Sequence, residues 1–207
     1  MNTDPLGGGA ATALLVLASS SRYRRELLAR LARPFLWQAP NIDESARPGE
    51  SADALVRRLG LAKSRALAPA YPAHLIIGSD QVAVNGDQIL GKPAGREQAI
   101  AQLTAAAGRT VRFLTSVCVL DTRSGEQQMM VVSTEVRFRP LRRRQIAVYV
   151  EHERPFDCAG SFKAEGLGIA LFEGIDGSDP TALIGLPLIA LTAMLARAGV
   201  DVLAATS

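Results

Sequence analysis

Cysteine is nearly missing from this chain of 207 residues: Cys118 and Cys158 stand alone, outside any C-x-x-C pair or Cys/His cluster. Neither a disulfide framework nor a zinc site is therefore expected, and a reducing compartment, the cytoplasm, is the simpler setting. The only histidines, His74 and His152, lie far apart with no ligand spacing. The pattern G-x-x-x-x-G-K-[ST] does not occur, which excludes a P-loop. No apolar run reaches bilayer length; LIGLPLIALTAMLA (183–196) is short and broken by Gly185 and Pro187. The opening MNTDPLGGGAATALLVL carries Asp4 where a secretion signal carries positive charge. Residues 1–12 are expected to form a flexible leader and residues 13–207 a single soluble domain of two lobes, with no membrane partner.

What is present is ordinary globular composition, 48% hydrophobic and 21% charged, long enough for one sizeable core. The formal net charge of +3 fits an anionic ligand without requiring one. Strand and helix signals alternate. ALLVLA (13–18) reads as a buried strand, and Leu27, Leu28 and Leu31 as one face of a helix ending before Pro34. PFLWQAP (34–40) is a strand candidate. Ser51 caps a helix over 51–68 with Leu55, Leu59, Ala62 and Ala66 on one side. HLIIGSD (74–80) reads as a strand breaking at Gly78, followed by a hairpin over 82–90 around Asn85-Gly86. A helix over 95–108, a second hairpin around TRSGE, a helix over 140–153 and a last helix over 187–197 complete the series. The alternation with two hairpins predicts an α/β fold: a mixed (parallel and antiparallel) twisted sheet flanked by helices, its two lobes around a central cleft.

The chemistry begins at LASSSRYRRELL (17–28). A strand running through serines into a helix start offers backbone N–H groups to an anion, and Arg22, Arg24 and Arg25 crowd the positive pole of that helix. Such cations are disfavoured there unless a negative group is expected nearby, which points to a phosphate cradle involving Ser19 and Ser21. Asp43, Glu44 and Asp80 sit on loops or at a strand end, where carboxylates can hold Mg²⁺ together with substrate phosphates. Lys92 is fixed between Gly91 and Pro93. Lys63 lies on the 51–68 helix, where lysines are ordinarily solvated. Together these suit hydrolysis of a nucleotide polyphosphate.

In order along residues 14–200, LASSSRYRRELL, DES, LAKSRA, IIGSDQV, LGKPAGREQA, CAGSFKAEGLGIALFE and LIGLPL resemble the blocks of the Maf-like nucleoside triphosphate pyrophosphatases. The resemblance implies a Maf/ITPase-like fold, a divalent cation (Mg or Mn), hydrolysis at the α-phosphorus, and a homodimer. It implies that Asp80 is the proton acceptor, that Glu44 and Asp80 lie at the metal, and that Arg24, Lys63 and Lys92 surround the triphosphate, with Ser19, Ser21 and Arg25 beside them.

Three positions separate the branches of that family, and here they are Tyr23, Gln81 and Glu165. Two of the three side with the branch acting on 7-methyl-GTP. Guanine offers two adjacent N–H donors that the Glu165 carboxylate can accept together. A 7-methylated ring is cationic and gains about 0.5–2 kcal/mol from an aromatic face, which Tyr23 could supply. A dTTP/UTP pyrophosphatase, a non-catalytic nucleotide-binding regulator of septum formation, and a nucleic-acid binder using the arginines of RFRPLRRRQ (137–145) stay open as alternatives. No aromatic interleaving or recognised module accompanies those arginines, so a nucleic-acid partner is not expected.

Overall fold

The computed structural model describes residues 15–204. The expected leader, residues 13 and 14 of the expected first strand, and residues 205–207 lie outside that range. Its centre is set by three runs of apolar residues too dense to leave any face exposed. Leu15–Ala18 forms β1, Leu75–Asn85 forms β3 and Thr110–Asp121 forms β5, nearly all buried. Around them lie β2 (Phe35–Gln38), β4 (Gln88–Leu90), β6 (Gln127–Phe138) and β7 (Phe172–Gly177). The strand order is β2-β1-β3-β5-β6-β7, with β4 paired to β3. β2, β1 and β3 are parallel, whereas β3, β5, β6 and β7 are antiparallel in succession. The sheet is thus mixed, as the two hairpin signals require.

The helices are α1 (Arg22–Ala29), α2 (Ala52–Leu67), α3 (Arg96–Ala106), α4 (Arg143–Glu153) and α5 (Leu188–Arg197). Side chains alternate between faces along a strand, so β3 and β5 each present two lists of residues. The even-numbered side (Ile76, Val82, Val84, Leu114, Leu120) packs under α2. The odd-numbered side is divided. Leu75, Ile77, Val117 and Val119 join α1 and α5 in one apolar cluster. Ala83, Val111 and Phe113 join α3 and α4 in another. Between the two clusters, on the same face, stand the polar residues Ser79, Gln81 and Thr115. The two expected lobes are these clusters, and the polar seam between them is where a ligand can enter.

Two expectations are corrected. The strand does not break at Gly78: β3 runs on through Asn85, because β5 pairs with it from Leu75 to Val84. The buried face of α2 is Leu55, Val56, Leu59, Gly60, Lys63, Ser64 and Leu67 rather than one that includes Ala66, which is exposed. The sequence assigns no element to FEGIDG, and β7 is a strand there through its pairing with β6. Among the described residues no helix is long and apolar enough to cross a membrane.

Candidate active site

The parallel pairing of β1 with β3 ends at Ala18 opposite Gly78, and β4 takes up the same side of β3 only from Ala83. Residues 79–82 of β3 therefore have an edge with no strand beside it. Ligands of α/β sheets settle at the carboxyl ends of such parallel strands. A cavity of about 410 Å³ opens there, and a second of about 330 Å³ adjoins it over the β1–α1 turn.

Two glycines decide the chemistry of its floor. A Cβ on Gly78 would collide with the backbone oxygen of Gly60, and a Cβ on Gly60 would stand 2.6 Å from Ser116 Oγ. Without those atoms α2 settles onto β3, and one helical turn past Gly60 brings Lys63 over Asp80, two residues past Gly78. Lys63 is only 5% exposed. Its Nζ donates to Asp80 Oδ1 at 2.7 Å and to Glu44 Oε2 at 2.8 Å. Both carboxylates are thus held within one lysine's reach of each other. The Asp80 amide donates to Ser116 Oγ at 3.1 Å, which fixes the backbone at that point.

The opposite wall is the β1–α1 turn. Ser21 caps α1, its hydroxyl facing the Arg24 amide at 3.4 Å, and Ser19 Oγ accepts from the Ser21 amide at 3.1 Å. The first turn of α1 carries no acidic residue. Arg24 reaches inward, its Nε donating to the backbone oxygen of Gly185 at 2.8 Å. Burial draws its pKa down from the ordinary value, while Asp80 and Glu44 pull it up. Lys92 lines both cavities and has no ion pair among the described residues. Arg25 is not brought to the site: its guanidinium lies 4.0 Å from the ring centroid of Trp37, which packs at the border of the α1/α5 cluster. Arg25 follows Arg24 by about 100° around the helix, which turns its side chain toward Trp37.

The inner end is apolar. Phe113 and Phe162 meet edge to face at 5.1 Å, and with Leu183, Cys158 and Tyr23 they enclose the space reached by Gln81 and Glu165. Glu165 stands on an exposed loop held by α4: Glu153 Oε1 accepts from the Leu167 amide at 2.7 Å, and Tyr149 Oη accepts from the Lys163 amide at 3.0 Å. Tyr23 carries the Arg22 guanidinium 4.7 Å from its ring centroid, so a cation already covers one ring face. Burial, opposed by the Arg22 hydrogen bond, raises the Tyr23 hydroxyl pKa well above its ordinary value. Burial, with Asp157 beside it, pushes the Cys158 thiol up to about 12.

Of the residues singled out from the sequence, Ser21, Tyr23, Arg24, Glu44, Lys63, Asp80, Gln81, Lys92 and Glu165 line one cavity, and Ser19 lines its neighbour. Residues not singled out as site candidates also converge there: Phe113, Asp157 and Leu183–Gly185. Among the described residues no three His, Cys, Asp or Glu side chains group as a metal cage. The Asp80 and Glu44 pair could hold a hard divalent cation whose other positions go to water and phosphate, the way Mg²⁺ is ordinarily bound.

The description "Maf-like protein" belongs to the family model that matches residues 14–198. A protein of Pseudomonas savastanoi pv. phaseolicola is 58% identical over 91% of this chain and 98% of its own length. One of Pseudomonas aeruginosa is 56% identical over 91% and 98%, and one of Alcanivorax borkumensis 54% identical over 92% and 96%. All three bear the name 7-methyl-GTP pyrophosphatase. The Ham1 protein of Staphylococcus aureus overlaps more loosely, with a TM-score of 0.44 and 16% identity over 61% of this chain and 72% of its own. With more than half of each aligned relative identical and the family model spanning nearly all of it, the chain belongs to the Maf-like family.

Proposed function

We propose that the protein is a nucleotide pyrophosphatase that hydrolyses 7-methyl-GTP to 7-methyl-GMP and pyrophosphate with the aid of Mg²⁺ or Mn²⁺. The observation that carries the reading is the convergence of Asp80, Glu44 and Lys63 with Arg24 and Lys92 at one end of a cavity whose other end is apolar. A polyphosphate needs the first end and a base the second, and the volume suits a single nucleotide.

In this reading water forms a new P–O bond at the α-phosphorus while the bond to the β-phosphate's bridging oxygen breaks. Asp80 takes the water's proton, and pyrophosphate leaves. Asp80 and Glu44 would hold the divalent cation, which supplies Lewis-acid polarisation of phosphate oxygens when bound. Lys63 exchanges its carboxylate partners for phosphate oxygens. Arg24, anchored through Nε on Gly185, keeps its terminal nitrogens for the phosphates, and Lys92 receives charge developing on the leaving group. Gln81 and Glu165 meet the base edge, and the uncovered face of Tyr23 meets its cationic ring.

Two unpaired thiols and a nucleotide substrate support a cytoplasmic setting for this work. The homodimer implied by the family resemblance is checked by molar mass in solution.

Pyrophosphate release from 7-methyl-GTP, GTP, dTTP and UTP, with and without Mg²⁺ or Mn²⁺, tests the reading. Turnover is expected to be fastest on 7-methyl-GTP and lost with chelator. Faster turnover of dTTP or UTP would transfer the enzyme to the pyrimidine reading, and no turnover of any nucleotide would leave only binding.

A further inference from the structure

Gln81 stands opposite Thr115 across the β3–β5 pair. Its Nε2 lies 2.9 Å from Thr115 Oγ1, 2.9 Å from the Ala182 backbone oxygen and 3.0 Å from that of Leu183. Backbone oxygens only accept, so the NH₂ group must face them. Among the described residues the carboxamide oxygen Oε1 has no donor, on a residue that lines the cavity. Thr115, completely buried, secures the arrangement by donating to Ala182 O at 2.9 Å.

The segment supplying those two oxygens is itself pinned. Asp179, 2% exposed, has no cationic partner among the described residues. Its Oδ1 accepts from the Thr181 amide at 2.9 Å and lies 2.6 Å from the Thr181 hydroxyl, and its Oδ2 accepts from the Ile189 amide at 2.7 Å. The carboxylate thereby ties residues 179–181 to the first turn of α5 and closes the loop 179–187.

We propose that Asp179 and Thr115 are positioning residues for base selection: through the Ala182 and Leu183 backbone oxygens they hold the Gln81 carboxamide with its oxygen to the substrate. This rests on the nucleotide reading above and extends it. With Gln81 locked as an acceptor and Glu165 an acceptor by charge, the inner end offers two acceptors to a base edge. Purines with adjacent N–H donors, guanine and its 7-methyl form, are taken. Uracil and thymine, which present carbonyl oxygens on both sides of one N–H, are refused because the amide cannot turn to donate to them. A freely rotating glutamine would discriminate far less.

The test is equilibrium binding of α,β-methylene GTP and α,β-methylene UTP, which needs no turnover. Wild type is expected to bind the guanine analogue at least about a hundredfold more tightly, since unpaired polar groups in a built site are heavily penalised. Asp179→Ala should lower that ratio about tenfold and Thr115→Val about threefold, while Thr115→Ser keeps it. A loosening that is only structural weakens both analogues equally and leaves the ratio unchanged. That outcome in folded variants overturns the proposal, as does a wild-type ratio near one. If Asp179→Ala does not fold, Thr115→Val and Thr115→Ser decide alone. Pyrophosphate release by the wild type is measured separately, so a protein that turns over nucleotides with an unmoved ratio loses this inference and keeps its activity.

Discussion

Asp80 and Gln81 are neighbours on β3, yet they face opposite sides and are satisfied in opposite ways. Asp80 is matched by a charge, the Lys63 ammonium, while Gln81 is matched by neutral backbone oxygens. An ion pair can trade partners: the lysine can turn to phosphate and the carboxylate to a cation, with each move compensated by the next. A neutral amide whose two N–H groups face only acceptors cannot trade, and in the proposed reading it serves as a fixed gauge for whatever base arrives. The phosphate end is therefore built for exchange and the base end for rigidity. The first should respond to salt, since its partly exposed charges are screened, and the second should not.

The largest break expected in that contrast is Asp80→Asn. Removing the proposed proton acceptor and one of two candidate metal ligands should cut kcat by about three orders of magnitude while circular dichroism stays native. A folded Asp80→Asn protein with normal turnover would remove the carboxylate from the reaction.

Next in size is the comparison of adjacent arginines. Arg24→Ala should lower kcat/KM about a hundredfold through lost phosphate contacts. Arg25→Ala, which removes a side chain lying over Trp37, should change it less than about twofold, a surface effect on stability apart. Equal losses would mean that α1 turns when nucleotide binds.

Gly78→Ala attacks the ground both ends share. The added methyl meets the backbone of Gly60, so α2 must lift from β3, at a cost of about 3 kcal/mol and a lower Tm. Activity should fall with it, because Lys63 leaves Asp80. An unaltered melting curve would contradict the close approach.

The smallest effect sharpens the base end. With its pKa near 12, Cys158 is a neutral thiol at pH 7, and the reactive thiolate appears only as pH climbs toward that value. Iodoacetamide labelling of the native protein should be far slower than that of a free thiol at pH 7–8 and rise steeply above pH 10. Rapid labelling at neutral pH would show that the pocket opens.

How much of this was legible in the sequence varies from residue to residue. The alternation of strand and helix and the Ser51 cap follow from local periodicity, and so does the strand-serine-helix turn. All of them appear as expected. Lys63 illustrates the limit: it sits four residues after Leu59, on the buried stripe, but its charge hides that position from any search for apolar spacing. Gly78 has the look of a strand breaker, because nothing in its neighbourhood reveals that Gly60 will lie against it. The arginines at 22–25 signal an anion collectively, and only the helix phase separates Arg24, which faces the cavity, from Arg25, which does not. Thr115 and Asp179 lack any local signal at all, since their partners are backbone atoms distant in the chain.

The sequence by itself determined most of the elements, the blocks that mark the family, and the set of charged groups available, because these depend on short spacings and on side-chain identity. Tertiary structure alone decided which of those charges meet. It did so by bringing two glycines together so that a helix lysine is buried against a strand carboxylate, and by laying the 179–187 loop over the polar seam of the sheet. Desolvation and close approach act between residues far apart in the chain, so they come into being only with the fold.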